Sequence, residues 1–256
     1  MSERPAQASG APAAPGLPTV DVNEYGGKKN DERQTLNRRL FMQLLVFDVP
    51  VGTDLGQARS ALIESLTRAK VPAVVYADTN AVRGLGLLTW SEDPAHFVDH
   101  VAKPFQSGVL ATLSERRDFA MLGRTYSNGH EPDLEHALLH RSVENVMHAD
   151  YGWHIWYPLR RSGAFATLDP HEQSMILREH AAIGMAYGKQ ELAHDIRLAC
   201  HGLDAKDNEF VIGVVGPALY PLSHLVQTMR KTKQTSQFIS QMGPFFVGKV
   251  IARVGA

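Results

Sequence analysis

Two hydrophobic rhythms alternate along the chain, one of period two and one of three to four, and their order predicts the fold. From Arg38 onward, LFMQLLVFDVP reads as a buried strand. Thr53 is placed to cap the helix DLGQARSALIESLTRAK, whose Leu55, Ala58, Leu62 and Leu66 make one apolar stripe. Two strands follow, VPAVVYADT and RGLGLLTWS. Next come a helix opened by the SEDP box, carrying His96, Phe97 and Val101, and a strand near RRDFAMLGRTY. The order is β-α-β-β-α-β.

The second half repeats that order. GWHIWYPLRR reads as a strand, residues 167–188 as a long helix opened by the LDPHEQ turn, IRLACHGLD and EFVIGVVG as strands, LYPLSHLVQTMRKT as a helix, and GPFFVGKVIARV as the last strand. The GLDAKDNE junction, with Gly202, Asp204 and Asn208, turns between the two middle strands. Each half is the split β-α-β pattern of a ferredoxin-like unit, so the predicted class is α+β. The units span 38–127 and 152–256. Residues 128–151 read as a polar linker, helical over EPDLEHALLH. Residues 1–37 read as a disordered N-terminal tail, because Ala, Pro, Gly, Ser and Gln dominate its first part and offer too little apolar surface to offset chain entropy.

Composition narrows the function classes. The 256 residues carry 26 basic and 27 acidic side chains, interspersed, so no basic stripe exists to engage a phosphate backbone and nucleic acid is not an expected partner. The single cysteine, Cys200, excludes an internal disulfide or a multi-cysteine metal site and reads as core. No apolar run reaches the ~20 residues that span a bilayer, and the first residues lack a secretory signal pattern. The expectation is a cytoplasmic protein with no membrane partner. Twelve histidines shift attention toward metal or haem chemistry.

Most histidine pairings lead nowhere. His136 and His140 have the i, i+4 spacing of a zinc helix, beside Glu135, but no third ligand is visible and a solvated helix face explains them. His194 and His201 fall on opposite faces of a predicted strand. The glycines of RGLGLL and MGPFFVG lack the strand, turn and helix order of a phosphate loop. His180 is different. It lies in an apolar stripe with Ile176, Leu177, Ile183, Gly184 and Tyr187, and Gly184, Ala181, Ala182 and Ala186 leave room for a broad flat ligand. Two readings stay open from spacing alone, a hydrogen-bonded core histidine and a haem ligand.

Five segments then act together: WYPLRR (156–161), REHAAIGMAYG (178–188), CHGLDAKDNEF (200–210), LVQTMR (225–230) and MGPFFVG (242–248). Their order resembles the chlorite dismutase family of haem proteins, which includes the coproheme decarboxylases, from about Arg39 to the C-terminus and best after Gly152. The resemblance implies two ferredoxin-like units forming a dimeric α+β barrel, haem b or coproheme with its iron in the C-terminal half, and a homo-oligomeric ring, usually a pentamer. It makes His180 the proximal iron ligand and puts Gln234 where chlorite dismutases use glutamate to accept the imidazole's other hydrogen bond.

Those dismutases also carry a distal arginine, and here the matching position falls on Ala193 or Asp195, with His194 between and Arg197 a register away. Tyr157 matches the radical-forming tyrosine of the coproheme decarboxylases, with Leu159 in place of methionine. Arg160, Arg161 and Arg230 stand as candidates to pair with porphyrin propionates, and Ser236 matches a serine near them. The implied activity is peroxide-dependent oxidation, with a small-molecule oxidant and a porphyrin as partners and coproheme as substrate. Chlorite decomposition to chloride and dioxygen, and haem carriage or sensing without turnover, are the alternatives.

Overall fold

The computed structural model describes residues 17–255. The part of the expected tail before residue 17 lies outside them. Within residues 17–37 the structure corrects the reading, because β1 (Glu24–Lys29) and β2 (Glu32–Leu36) form an antiparallel hairpin. Asn30 and Asp31 turn it, both in the left-handed region (φ 54° and 64°) that these two residue types tolerate. Gln34 anchors the hairpin, its amide donating to the Gly27 and Glu131 carbonyls and accepting from Leu134 N at 3.0 Å.

The N-terminal unit follows as β3 (Phe41–Asp48), α1 (Leu55–Ala69), β4 (Ala73–Asp78), β5 (Gly84–Ser91), the two-residue β6 (Ser114–Glu115) and β7 (Met121–Arg124). Asp54, not Thr53, caps α1, accepting from Gln57 N at 2.6 Å. The second expected helix is a series of short irregular turns, Phe97–Val101, Lys103–Gln106 and Gly108–Thr112. Pro104 and Gly108 interrupt the pattern there, and tertiary packing of Phe97, Val101 and Leu110 holds what remains.

Residues read as a linker hold a turn of helix at His136–His140 and α2 (Arg141–Met147). They are not merely polar, since Leu134, Leu138, Leu139 and Val146 are buried in the largest core cluster. The C-terminal unit comprises β8 (Trp153–Arg161), α3 (Pro170–Lys189), β9 (His194–Ala199), β10 (Phe210–Gly216), α4 (Leu219–Met229), α5 (Lys233–Phe238), β11 (Ile239–Met242) and β12 (Phe246–Val254). The sequence pattern missed α5 and β11, which are too short for periodicity to register.

Strand order within the units is β7-β3-β5-β4 and β9-β10-β8-β12, the arrangement of two ferredoxin-like halves. Antiparallel pairing of β4 with β12 and of β7 with β9 joins them, so eight strands (β3, β4, β5, β7, β8, β9, β10 and β12) close into a barrel. The two ferredoxin-like units expected from the pattern, and the α+β barrel that the resemblance implies, are therefore the fold observed.

Closure sorts every strand by parity. Met42, Leu44, Tyr76, Leu88, Trp90, Trp156, Ile196, Leu198, Val211 and Phe246 fill the interior. The opposite faces of the N-terminal strands pack under Leu62 and Leu66 of α1, and those of the C-terminal strands under α3 and α4. Gly213 illustrates the tolerance of the interior, since a Cβ there would stand 2.6 Å from the Trp156 ring.

A histidine sits in that interior. His154 is fully buried, with Nδ1 2.8 Å from the Tyr76 hydroxyl and Nε2 3.1 Å from the Tyr151 carbonyl, which also accepts from Arg253 at 2.7 Å. The contacts tie β4 of one unit to β8 and β12 of the other. Burial, with the Arg253 charge adding to it, depresses the imidazole from its ordinary 6.5 to about 3. A depressed folded value means the contribution is complete above pH 6.5 and is lost as pH falls toward about 3. His154→Gln should cost roughly 1–3 kcal/mol at neutral pH. Over that acidic window its stability should also fall less steeply than the wild type's. Urea midpoints at several pH values check this, and parallel slopes would contradict it.

Candidate functional site

The helix-facing side of β8, β9 and β10 gathers most of the predicted residues. Register places Arg197, Ile212 and Tyr157 in one row across these strands and Asp195, Val214 and Ile155 in the next. Directly opposed residues share a face, so Tyr157, Asp195 and Arg197 all project toward the helix layer while Trp156, Gly213 and Ile196 project into the barrel. Neither the Ala193 nor the Asp195 alignment has to be chosen, because both residues and Arg197 have the same parity.

α3 supplies the opposing side. Asp169 caps it, accepting from His171 N at 2.9 Å and Glu172 N at 3.0 Å, with Pro170 at the first helical position. Ile176 is buried against Phe165 and Phe238, whereas Ile183 and Tyr187 pack on the cluster that holds Tyr157. His180 lies between those anchors and is half-buried. Its Nδ1 is buried without a hydrogen-bond partner, and among the described residues its Nε2 makes no hydrogen bond either. The core-histidine reading required a partner for this imidazole, and the structure supplies none.

Burial lowers the His180 pKa, opposed by the Asp195 charge, so at neutral pH a nitrogen lone pair is available. Gly184 leaves open space one turn on, where a Cβ would meet only the Met229 methyl at 3.7 Å. Ala181, Ala182 and Ala186, expected beside the imidazole, instead lie on the exposed face of α3. A helical rotation of 100° per residue carries them away from the His180 stripe.

Gln234 reaches the same neighbourhood. Lys233 N donates to Glu179 Oε2 at 3.0 Å, joining α5 to α3 beside His180, and the Gln234 side-chain oxygen is buried without a partner. Two adjacent helices thus present two orphaned polar atoms. Lys233 Nζ also pairs with Glu172 at 2.8 Å.

Tyr157 is buried and stacks on Phe245, with ring centroids 4.5 Å apart. Burial, reinforced by the Asp195 charge, pushes its phenol above the ordinary value, so it remains protonated; its hydroxyl has no partner among the described residues. Arg230, at the end of α4, is exposed and makes no ion pair among the described residues. With Ser236, Thr235, Ser240 and Gln241 it lines a cavity of about 260 Å³. The Ser236 hydroxyl donates to the Thr232 carbonyl at 2.8 Å and can still accept.

Arg160 has the opposite parity to Tyr157. Its guanidinium donates to the Asp207 carbonyl at 2.7 Å and to that of Lys206, and the structure does not bring it to the site. Arg161 shares Tyr157's parity but is held by Glu209 and the faces of Phe165 and Phe210.

The remaining candidates are occupied elsewhere. His136 bonds Glu144 at 2.8 Å on an exposed surface, with the His140 ring 6.3 Å away. His194 bonds Glu191 and stacks on Tyr151, and His201 lies past the end of β9, edge-on to Phe210. Cys200 is buried, its thiol pushed up to about 12 by burial and its Sγ 3.1 Å from the Asn208 carbonyl. Among the described residues no group of three His, Cys, Asp or Glu converges on one point, and no helix is long and apolar enough to cross a membrane.

Comparison with known proteins identifies the family and the fold. The chlorite dismutase family model matches residues 90–251. The chain belongs to the chlorite dismutase family. Among solved structures, the chain is similar to a haem-binding protein from Thermus thermophilus (TM-score 0.65, 17% identity, covering 86% of this chain and 93% of that one). It is likewise similar to the chlorite dismutase from Candidatus Nitrospira defluvii in complex with imidazole (TM-score 0.64, 12% identity, 83% and 91%). At such identities the likeness concerns the fold. No curated protein sequence matches.

Proposed function

We propose that this member of the family binds an iron porphyrin through His180 Nε2 and oxidises it with peroxide, coproheme being the substrate and haem b the product. The observation that carries the reading is the helix-borne imidazole, buried at Nδ1, with neither nitrogen satisfied, across from a sheet-borne tyrosine whose hydroxyl is also free. A single neutral imidazole with no other convergent ligand suits haem iron, which takes its remaining equatorial ligands from the porphyrin. Gly184 and the flat apolar side chains of the Tyr157 cluster suit a planar ligand, and Arg230 with Ser236 would pair with a propionate.

The bound iron porphyrin supplies the oxidising chemistry of peroxide. The chain's residues do the rest. His180 would hold the metal, and Gln234 would accept from Nδ1 and set the basicity of the imidazole without the negative charge a glutamate would add. Tyr157, kept protonated by burial, loses an electron and its phenolic proton together. The resulting phenoxyl oxygen takes a hydrogen atom from the propionate chain, regenerating the phenol. A second electron leaves as the bond to the carboxylate breaks, so each of the two propionates that react becomes a vinyl group and carbon dioxide while one peroxide is reduced to two waters, and the other two propionates are kept. The family's ring-shaped assembly and a cytoplasmic site of action belong to the same proposal.

Absorption spectra of the protein mixed with haem b or coproheme, followed by peroxide and mass analysis of the porphyrin, test this. His180→Ala should weaken binding at least roughly tenfold while leaving the far-ultraviolet circular dichroism unchanged. An unaltered Soret band in that variant would contradict the ligand assignment. Tyr157→Phe should bind coproheme like the wild type, because the ring stack on Phe245 persists, yet reduce vinyl formation to background. Normal product from Tyr157→Phe would remove the tyrosine from the mechanism.

A further inference from the structure

The sheet face that carries Tyr157 also carries a charge pair that neither Tyr157 nor His180 requires. Asp195 and Arg197 are two residues apart on β9 with side chains on the same side, joined by an Oδ2 to Nε contact of 2.9 Å. The Asn128 side-chain amide lies 3.1 and 3.3 Å from the two terminal nitrogens of Arg197, and its oxygen, when turned toward them, accepts from both. Asp195 Oδ1 has no partner among the described residues, and the carboxylate side chain is 43% exposed on a face otherwise made of Val214, Ile155 and Ile212. Arg197 is paired by charge with Asp195, although its buried Nε completes no hydrogen bond, while the second carboxylate oxygen is free, so the open part of the pair is negative.

Resting on the haem reading above, we propose that Asp195 selects the ligand entering this site by charge: its carboxylate admits neutral oxidants such as hydrogen peroxide and opposes anionic ones such as chlorite, with Arg197 setting the strength. Strand register sets Asp195 one row from Tyr157 on the same face of the sheet, and after burial Asp195 is the leading charge acting on the Tyr157 phenol. A unit charge within several ångströms of the binding position, in a partly desolvated cleft, changes the affinity of another unit charge by roughly tenfold or more and leaves a neutral ligand nearly unaffected.

The experiment uses the full chain loaded with ferric haem, titrated spectroscopically with azide as the anionic probe and imidazole as the neutral one. Asp195→Asn should tighten azide roughly tenfold and move imidazole by less than about twofold. Arg197→Gln, which frees the carboxylate from its counter-charge, should weaken azide. The opposite signs of the two variants separate a charge effect from a general loosening of the fold, which would shift both probes in one direction. A haem-loaded chain whose azide affinity ignores the Asp195 charge, or whose azide and imidazole affinities move together, overturns the selector alone. A wild-type chain that takes up no haem overturns the haem reading and the selector with it.

Discussion

Closing eight strands into a barrel imposes a parity rule on each of them, and the organisation of the site follows from that rule. A residue on β8, β9 or β10 must face either the filled interior or the helix layer. Trp156, Ile196 and Phe246 take the interior, and His154 can join them only because Tyr76 and the Tyr151 carbonyl satisfy both ring nitrogens. Their neighbours Tyr157, Asp195 and Arg197 are thereby delivered to the other face, under α3. A slip of one residue in β9 would exchange Asp195 and Arg197 for Ile196, removing the charge pair and burying it in the barrel at once.

The helix layer meets this face with few polar groups. Between anchors at Ile176 and Ile183, α3 presents one imidazole, and α5 is fastened beside it by the Lys233 to Glu179 hydrogen bond. Buried unpartnered atoms cost roughly 1–3 kcal/mol each. The orphaned His180 Nδ1 and Gln234 oxygen carry that cost, as Trp156 Nε1 does in the barrel interior, and a bound iron together with a settled imidazole tautomer would remove it at α3 and α5.

Much of this was legible in the sequence because long periodic segments declare themselves. The two β-α-β-β-α-β series, the α3 stripe through Ile176, His180, Ile183 and Tyr187, and the opposition of Trp156 and Tyr157 on β8 all follow from spacing. The β9 assignment could not be made by counting, since the strand's start is uncertain by a residue or two, whereas the structure shows that parity, not position, brings Arg197 to the face. Arg160, a propionate candidate by resemblance, has the opposite parity to Tyr157 and donates to the Asp207 and Lys206 carbonyls. The hairpin at 24–36 was hidden by its polar composition, although Asn30 and Asp31 are a recognisable tight-turn pair. The broken helix over 97–112 was overestimated because an apolar stripe does not reveal where proline and glycine interrupt it.

A structure of the chain crystallised with haem tests the central claim most directly. The account predicts iron bonded to His180 Nε2, with Tyr157 and the Asp195–Arg197 pair facing the porphyrin from the sheet side. Iron held by any other side chain, or a porphyrin bound away from α3, would contradict it.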